Sequence, residues 1–253
     1  MPELLSEHRD GVLTLTLNRP EKANAFSMEM VAALRDAFRE AARDASVRCV
    51  VVTGTGHVFG AGHDAEEMLR YMGTTSYRAH LLETYNPLIL QIRRLEKPVI
   101  AAINGPCAGA SLGIALACDM RIAAQTARFV VGFSRLGLVP DSGVSILLPR
   151  LIGLGRAMEF TLTNAPISAD QALEWGLVNR VVPPEALQEE TAQLAARLAA
   201  GPIGAYALIK RAFNKTVLPD LEEALDYEAH LQEIASKSEE HRRGVEEFLR
   251  KRK

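Results

Sequence analysis

The sequence predicts an α/β core with parallel strand pairing, closed by an all-helical C-terminal stretch. Three observations carry that prediction. Continuous apolar runs stopped by glycine recur, as in CVVVTGTG (49–56) and PVIAAING (98–105), the mark of strands buried on both faces. Helix-length segments separate these runs, so strand and helix patterns alternate at short intervals. From about residue 186 onward the pattern is helical throughout.

The elements follow in order. Leu13 to Leu17 alternate apolar residues with threonine, a half-buried strand ended by Asn-Arg-Pro. Ser27 can cap the next helix, whose Met30, Leu34, Phe38 and Ala41 recur every three or four residues and make one apolar face. YNPLILQIRRLE (85–96) reads as a helix ended by Pro98. AGASLGIALACD (108–119) is helix-length and rich in small residues, and MRIAA follows as a strand. ISADQALEWGLVNRVVP (167–183) is a compact helical unit with Ser168 and Gln171 placed as a capping box and Gly176 as the stop. Gly201-Pro202, Pro219 and Ser238 then separate four helices. The reading divides the chain into a core over 1–197 and a helical C-terminal region over 198–253. The apolar faces of that region exceed what a small helical tail buries alone, which calls for a partner subunit.

Composition narrows the function classes. The chain has 253 residues, 48% apolar and 24% charged, with a formal net charge of −2, so no global field attracts nucleic acid. The basic tail RKRK (250–253) is a local exception. No run of 18 apolar residues is present to span a membrane, and MPELLSEHRDG lacks the pattern of a secretion signal. Cys49, Cys107 and Cys118 lie in apolar stretches without CxxC spacing, which fits reduced, buried thiols in a cytoplasmic protein. The six histidines show no metal-ligand spacing, so no metal is expected. GxGxxG and GxxxxGK[ST] motifs are also missing, which removes nucleotide hydride transfer and P-loop chemistry.

Three glycine-containing turns carry the remaining chemistry. In HVFGAGHDAEEM (57–68), Gly60 and Gly62 let a backbone approach a ligand, and Asp64 can cap the helix that follows. INGPCAGASLG (103–113) leaves a buried strand and enters a helix through small residues. Amides at two such helix starts, aimed at one oxygen, would form an oxyanion hole, although tight helix–strand packing demands the same small residues. In GLVPDSG (137–143), Asp141 follows Pro140 inside an apolar context. It admits two readings, the N-cap of a helix or a catalytic acid/base.

Taken together, TLTLNRPEKANAF, VVVTGTGHVFGAGHD, KPVIAAINGPCAGASLGIALACDMRIAA, ARFVVGFSRLGLVPDSG and GLVNRVV resemble the crotonase (enoyl-CoA hydratase/isomerase) family. The resemblance implies a spiral of strand–strand–helix units with a C-terminal helical region that makes trimers, pairs of which form hexamers. It implies an acyl-coenzyme A thioester as ligand, with no separate cofactor. The thioester oxygen would lie between the backbone N–H groups of His63 and Ala110. The Lys22, Ala23 and Ala25 segment would line the coenzyme A moiety, and Ala61, Asp64 and Gly109 would also bind the substrate. Phe133 and Leu136, with Tyr85 and Trp175, are candidates for the acyl pocket.

The resemblance also separates members of the family. The two glutamates of its hydratases would fall at Gly113 and Phe133, so both carboxylates are missing. Asp141 is left as the acid/base, and Asp119, at the end of ALACD, reads as structural. YNPL, FSRLGLVPDSG, LLPRLIG and ALEWGLV are most similar to the ring 1,2-epoxyphenylacetyl-CoA isomerases of phenylacetate degradation. That implies conversion of the epoxide to an oxepin-CoA, double-bond shifts in enoyl-CoA substrates, or both. Another crotonase activity on acyl-CoA (an enoyl-CoA hydratase, a hydrolase, or a dehalogenase using the same aspartate) and a catalytically weak scaffold subunit of an acyl-CoA complex stand as alternatives.

Overall fold

The computed structural model describes residues 1–250, so all but the first residue of the basic tail RKRK lies outside the described residues. The N-terminal half runs β1 (Leu4–Arg9), β2 (Val12–Leu17), α1 (Met28–Arg43), β3 (Cys49–Gly54), α2 (Ala65–Tyr71), α3 (Tyr77–Glu83), α4 (Tyr85–Arg94), β4 (Val99–Ile103), β5 (Cys107–Ala108) and α5 (Ala110–Ala117). Next come β6 (Met120–Ala124), β7 (Arg128–Val130), α6 (Val144–Ile152), α7 (Leu154–Thr163), β8 (Ile167–Ser168), α8 (Ala169–Glu174) and β9 (Arg180–Val182). Four helices end the chain: α9 (Leu187–Ala199), α10 (Ile203–Val217), α11 (Leu221–Ala235) and α12 (Glu239–Arg250).

Six strands form one sheet in the order β1-β2-β3-β4-β6-β9, and three short strands form a second in the order β5-β7-β8. In the large sheet every pairing from β2 onward is parallel, with Leu15 opposite Val52, Val51 opposite Ile100 and Ala102 opposite Ile122. Only the polar edge strand β1 runs antiparallel, against β2. The apolar runs have the composition they do because both faces of this sheet are covered. Val50, Val52, Ala101 and Ile103 pack toward α1, α4 and α5, whereas Cys49, Val51, Ile100, Ala102 and Ile122 pack toward α9. Each large apolar side chain buried this way contributes roughly 2 kcal/mol.

The chain repeats one construction. β4 joins the large sheet, β5 joins the small sheet, and α5 follows; β6, β7 and α6 do the same. The earlier segment β3 to α2 follows this path in reduced form, touching the small sheet through a single bridge from Gly60 to Cys107. Successive turns therefore place the loops before α2, α5 and α6 side by side, and this positions the site. The expected caps are present: Ser27 accepts from Met30 N, Asp64 from Glu66 N and Ser168 from Gln171 N. The N-cap reading of Asp141 is not. α6 begins after Gly143 without a side-chain cap from its own loop.

The four C-terminal helices fall where the sequence puts them, but α11 and α12 do not stand apart from the core. α11 packs on α3, α4 and α6, and α12 packs on α2 and on the turn Ser134–Leu136. Their apolar residues Leu221, Leu225, Ala229 and Val245 are buried within the chain itself. α10 keeps an exposed apolar face through Ile209, Phe213 and Val217. All three cysteines are unpaired and buried. Among the described residues no helix is long and apolar enough to cross a membrane, and no group of three or more His, Cys, Asp or Glu side chains gathers to hold a metal.

Candidate active site

A cavity of about 250 Å³ opens where the loops before α2, α5 and α6 meet α3, α11 and α12. Two of those loops are sewn together by hydrogen bonds. Ala108 N donates to Gly60 O (3.0 Å), and Gly62 N donates to Ser111 Oγ (3.0 Å). The approach is close enough to require glycine. A Cβ on Gly62, at φ +85°, would stand 3.1 Å from Ala108 O, and Gly109 takes φ +57° to swing the chain into α5. The amides that follow these two glycines belong to His63 and Ala110, and both residues line the cavity. Ala110 opens α5, so its N–H has no intrahelical acceptor. His63 N likewise donates to no acceptor among the described residues.

Asp141 lines the same cavity and is only 7% exposed. Its Oδ1 accepts from Ser142 Oγ (2.8 Å) and its Oδ2 from Gln232 Nε2 (2.6 Å). Burial pushes the carboxyl up from its ordinary 3.8 to about 6, and the two donors hold it back from rising further. The cap on α6 comes from Glu228 of α11, whose two oxygens accept from Gly143 N and Ser145 N (2.9 Å each). Asp141 is thereby free of helix duty. Ser142 beside it is held at φ +56° and fully buried.

The remaining residues from the sequence reading divide by position. Ala61, Gly109, Phe133, Leu136 and Tyr85 all line the cavity. Lys22, Ala23, Ala25 and Asp64 do not line it. Lys22 Nζ pairs with Glu66 (2.6 Å), Ala23 O accepts from Ala61 N (3.1 Å), and Ala25 O accepts from Arg19 Nη1 (2.7 Å). Asp64 caps α2 and pairs with Arg19 (2.9 Å); burial pushes its carboxyl up, but the Glu66 amide and the guanidinium outweigh that and hold it below the usual range. Trp175 is not a pocket residue, because its ring packs beneath the Arg156 guanidinium, 5.4 Å away. Asp119 is structural: it accepts from Val99 N (2.8 Å) and pairs with Lys210 (2.8 Å) and Arg93 (3.2 Å).

The structure adds side-chain contacts to His63 and Tyr85 and brings in His80, Tyr77, His241, Gln232 and Glu228, which sequence reasoning missed. His63 Nδ1 shares a hydrogen bond with the Tyr85 hydroxyl (2.9 Å), and its ring meets His80 edge-on with centroids 5.0 Å apart. Burial, reinforced by His80, drives the His63 imidazole down to about 3, so it is neutral at working pH. Tyr85 is pushed upward by burial and by the Asp141 carboxyl, so its phenol stays protonated. On the outer wall, Tyr77 Oη and His241 Nε2 lie 2.8 Å apart, and His241 Nδ1 lies 2.7 Å from Leu136 O. Gln232 and Glu228 did leave a signal, since they fall in the apolar stripe of α11 where the helical period demands core residues.

The cavity thus combines paired free amides at two loop–helix junctions with one buried carboxyl, and neither hydratase position, Gly113 or Phe133, supplies a carboxylate. Comparisons with known proteins identify the family. The family model described as Enoyl-CoA hydratase/isomerase matches residues 7–253. The 1,2-epoxyphenylacetyl-CoA isomerase of Escherichia coli (strain K12) is 43% identical over 256 residues, covering 100% of this chain and 97% of that protein. The 4-chlorobenzoyl coenzyme A dehalogenase-2 of Arthrobacter sp. is 39% identical, covering 88% of this chain and 81% of the relative. Among solved structures, an enoyl-CoA hydratase from Mycobacterium avium subsp. paratuberculosis K-10 superposes with a TM-score of 0.90 at 34% identity, covering 98% of this chain and 96% of that one. A match to the family model over nearly the whole sequence, together with full-length relatives of this identity, means that the chain belongs to the enoyl-CoA hydratase/isomerase family, the crotonases.

Proposed function

We propose that this enzyme isomerises acyl-CoA thioesters by proton transfer through Asp141. The carrying observation is that, among the described residues, Asp141 is the one carboxylate lining the cavity that contains the free amides of His63 and Ala110. In this reading the thioester oxygen accepts from both amides. The carboxylate removes a proton from one carbon of the acyl chain, the electron pair delocalises onto the oxygen as an enolate, and the same carboxyl returns the proton at another carbon. A group near pH 6 suits that work, because it is ionised enough to accept and acidic enough to give back. Hydration would need a second carboxylate to orient water, and Gly113 and Phe133 supply none.

The acyl group we assign is a ring 1,2-epoxyphenylacetyl or an enoyl chain. The apolar and aromatic lining by Phe133, Leu138, Tyr85 and Phe248 supports a ring-sized occupant, as does the 43% identity to an epoxyphenylacetyl-CoA isomerase. We also assign a cytoplasmic trimer or pair of trimers. Exposed Leu154, Met158 and Leu162 in a row on α7, and the apolar face of α10, support assembly. Asp141→Asn is expected to keep the fold and lose isomerisation of both substrates by orders of magnitude. Turnover near that of the unmodified enzyme would remove Asp141 from the mechanism. The dehalogenase relative favours a second reading, attack by Asp141 on an aryl carbon. Intact-protein mass spectrometry during turnover would reveal the resulting covalent aryl ester.

A further inference from the structure

The Asp141 carboxyl is held from outside its own loop. Glu228 and Gln232 stand one turn apart on α11, on the face turned toward residues 139–145. Gln232 spans that loop. Its Oε1 accepts from Val139 N (3.2 Å), and its Nε2 donates to Asp141 Oδ2 (2.6 Å). The first bond fixes the second. A backbone N–H offers only a proton, so the carbonyl end of the amide must face Val139 and the amino end must face the carboxylate. Both α11 side chains are buried, Gln232 at 2% and Glu228 at 3% exposure, where an unmatched amide is costly. Gln232 lines the cavity itself.

We propose that Gln232 is a positioning residue for Asp141, fixing the direction of the carboxylate and favouring its ionised form, while Glu228 locks the following turn onto α6. This rests on the Asp141 reading above. The effect has a definite sign. Burial alone favours the protonated acid, and a donor on Oδ2 opposes it. The other ionisable groups that face Asp141 are Glu228 on α11 and Tyr85 on α4, with His63, His80, Tyr77 and Arg135 around the cavity. α5 (ASLGIALA) contributes none. None of these takes the place of Gln232 on Oδ2.

Gln232→Met keeps length and volume but removes both bonds. The acid limb of kcat/KM is then expected to move up by roughly one pH unit, and kcat to fall about tenfold while KM stays within about twofold. An infrared difference titration of the Asp141 carboxyl, identified by its disappearance in Asp141→Asn, should move the same way without any substrate. If Gln232→Met does not fold, Gln232→Asn withdraws the amide by one methylene and should give the same direction of change. An unshifted carboxyl titration with unchanged kcat would overturn the proposal. The two readings fail separately. Turnover in Asp141→Asn would remove the base, whereas the infrared midpoint still reports whether Gln232 governs that carboxyl.

Discussion

A Cβ placed on Gly113 would stand 2.5 Å from Ser142 O and 2.7 Å from Ser142 Cβ. The turn that carries Asp141 is therefore pressed against α5 at the position where hydratases of this family carry a glutamate. The missing carboxylate is built into the packing, because Ser142 occupies the space a side chain there would need. Gly113→Ala should force the turn away from α5 and destabilise the protein by about 2 kcal/mol, measured by urea denaturation. Gly113→Glu should fail to create hydratase activity on 2-enoyl-CoA, since its carboxylate has no room to enter the cavity. Appearance of hydration in that variant would show that the space is available. The sequence displays the vacancy at Gly113 and the apolar setting of Asp141 directly. It does not display what fills the vacancy or what caps α6, because Glu228 reaches Gly143 from 85 residues away in the chain. Local chemistry made Asp141 a cap candidate, and a distant carboxylate took that position.

Helix α11 shows how a periodic pattern can be read correctly and its use missed. Its apolar stripe through Leu221, Leu225 and Ala229 is plain, and Glu228 and Gln232 interrupt it. Polar groups in a buried stripe need partners, and they find them on the loop that carries Asp141. α12 is similar. His241 is fully buried, bonded to Tyr77 on one side and Leu136 on the other, and Gly137 lies so close to it that a Cβ there would stand 2.5 Å from His241 N. The core strands and their order along the chain were readable because parallel burial leaves continuous apolar runs. That the last two helices cover the chain's own cavity was not, because an amphipathic face looks the same whichever surface it meets. His241→Ala should leave the Tyr77 hydroxyl and Leu136 carbonyl short of a partner and open a void, at about 2–4 kcal/mol. Hydrogen exchange would show the loss as faster exchange in α12 ahead of the sheet, and equal protection in both would place α12 outside the closure of the cavity.

Folding stability couples these groups to pH, and the opposing signs separate them. Asp141 is raised to about 6 and Glu228 to about 7, both chiefly by burial. A carboxyl raised on folding stabilises the folded state below its unfolded value and loses that contribution as pH climbs through its folded value. From about pH 4 to 7, both therefore lower stability as pH rises. The imidazoles of partly buried His63 and His80 and of buried His241 are all lowered, first by desolvation, and act in the opposite sense: charging them below about pH 6.5 costs folding free energy, so they raise stability as pH rises. The wild-type profile sums these slopes and conceals each of them. Asp141→Asn removes the contribution of that carboxyl alone. Relative to wild type, the variant should gain about 2 kcal/mol of stability from pH 4.5 to 7.5, most of it below pH 6, for a carboxyl displaced from 3.8 to about 6. Urea denaturation of both proteins at the two ends of that range measures the difference directly. A gap that stays constant with pH would mean that the Asp141 carboxyl titrates near its ordinary value in the folded protein. In that case the apolar cavity does not hold the half-protonated acid that a proton shuttle requires.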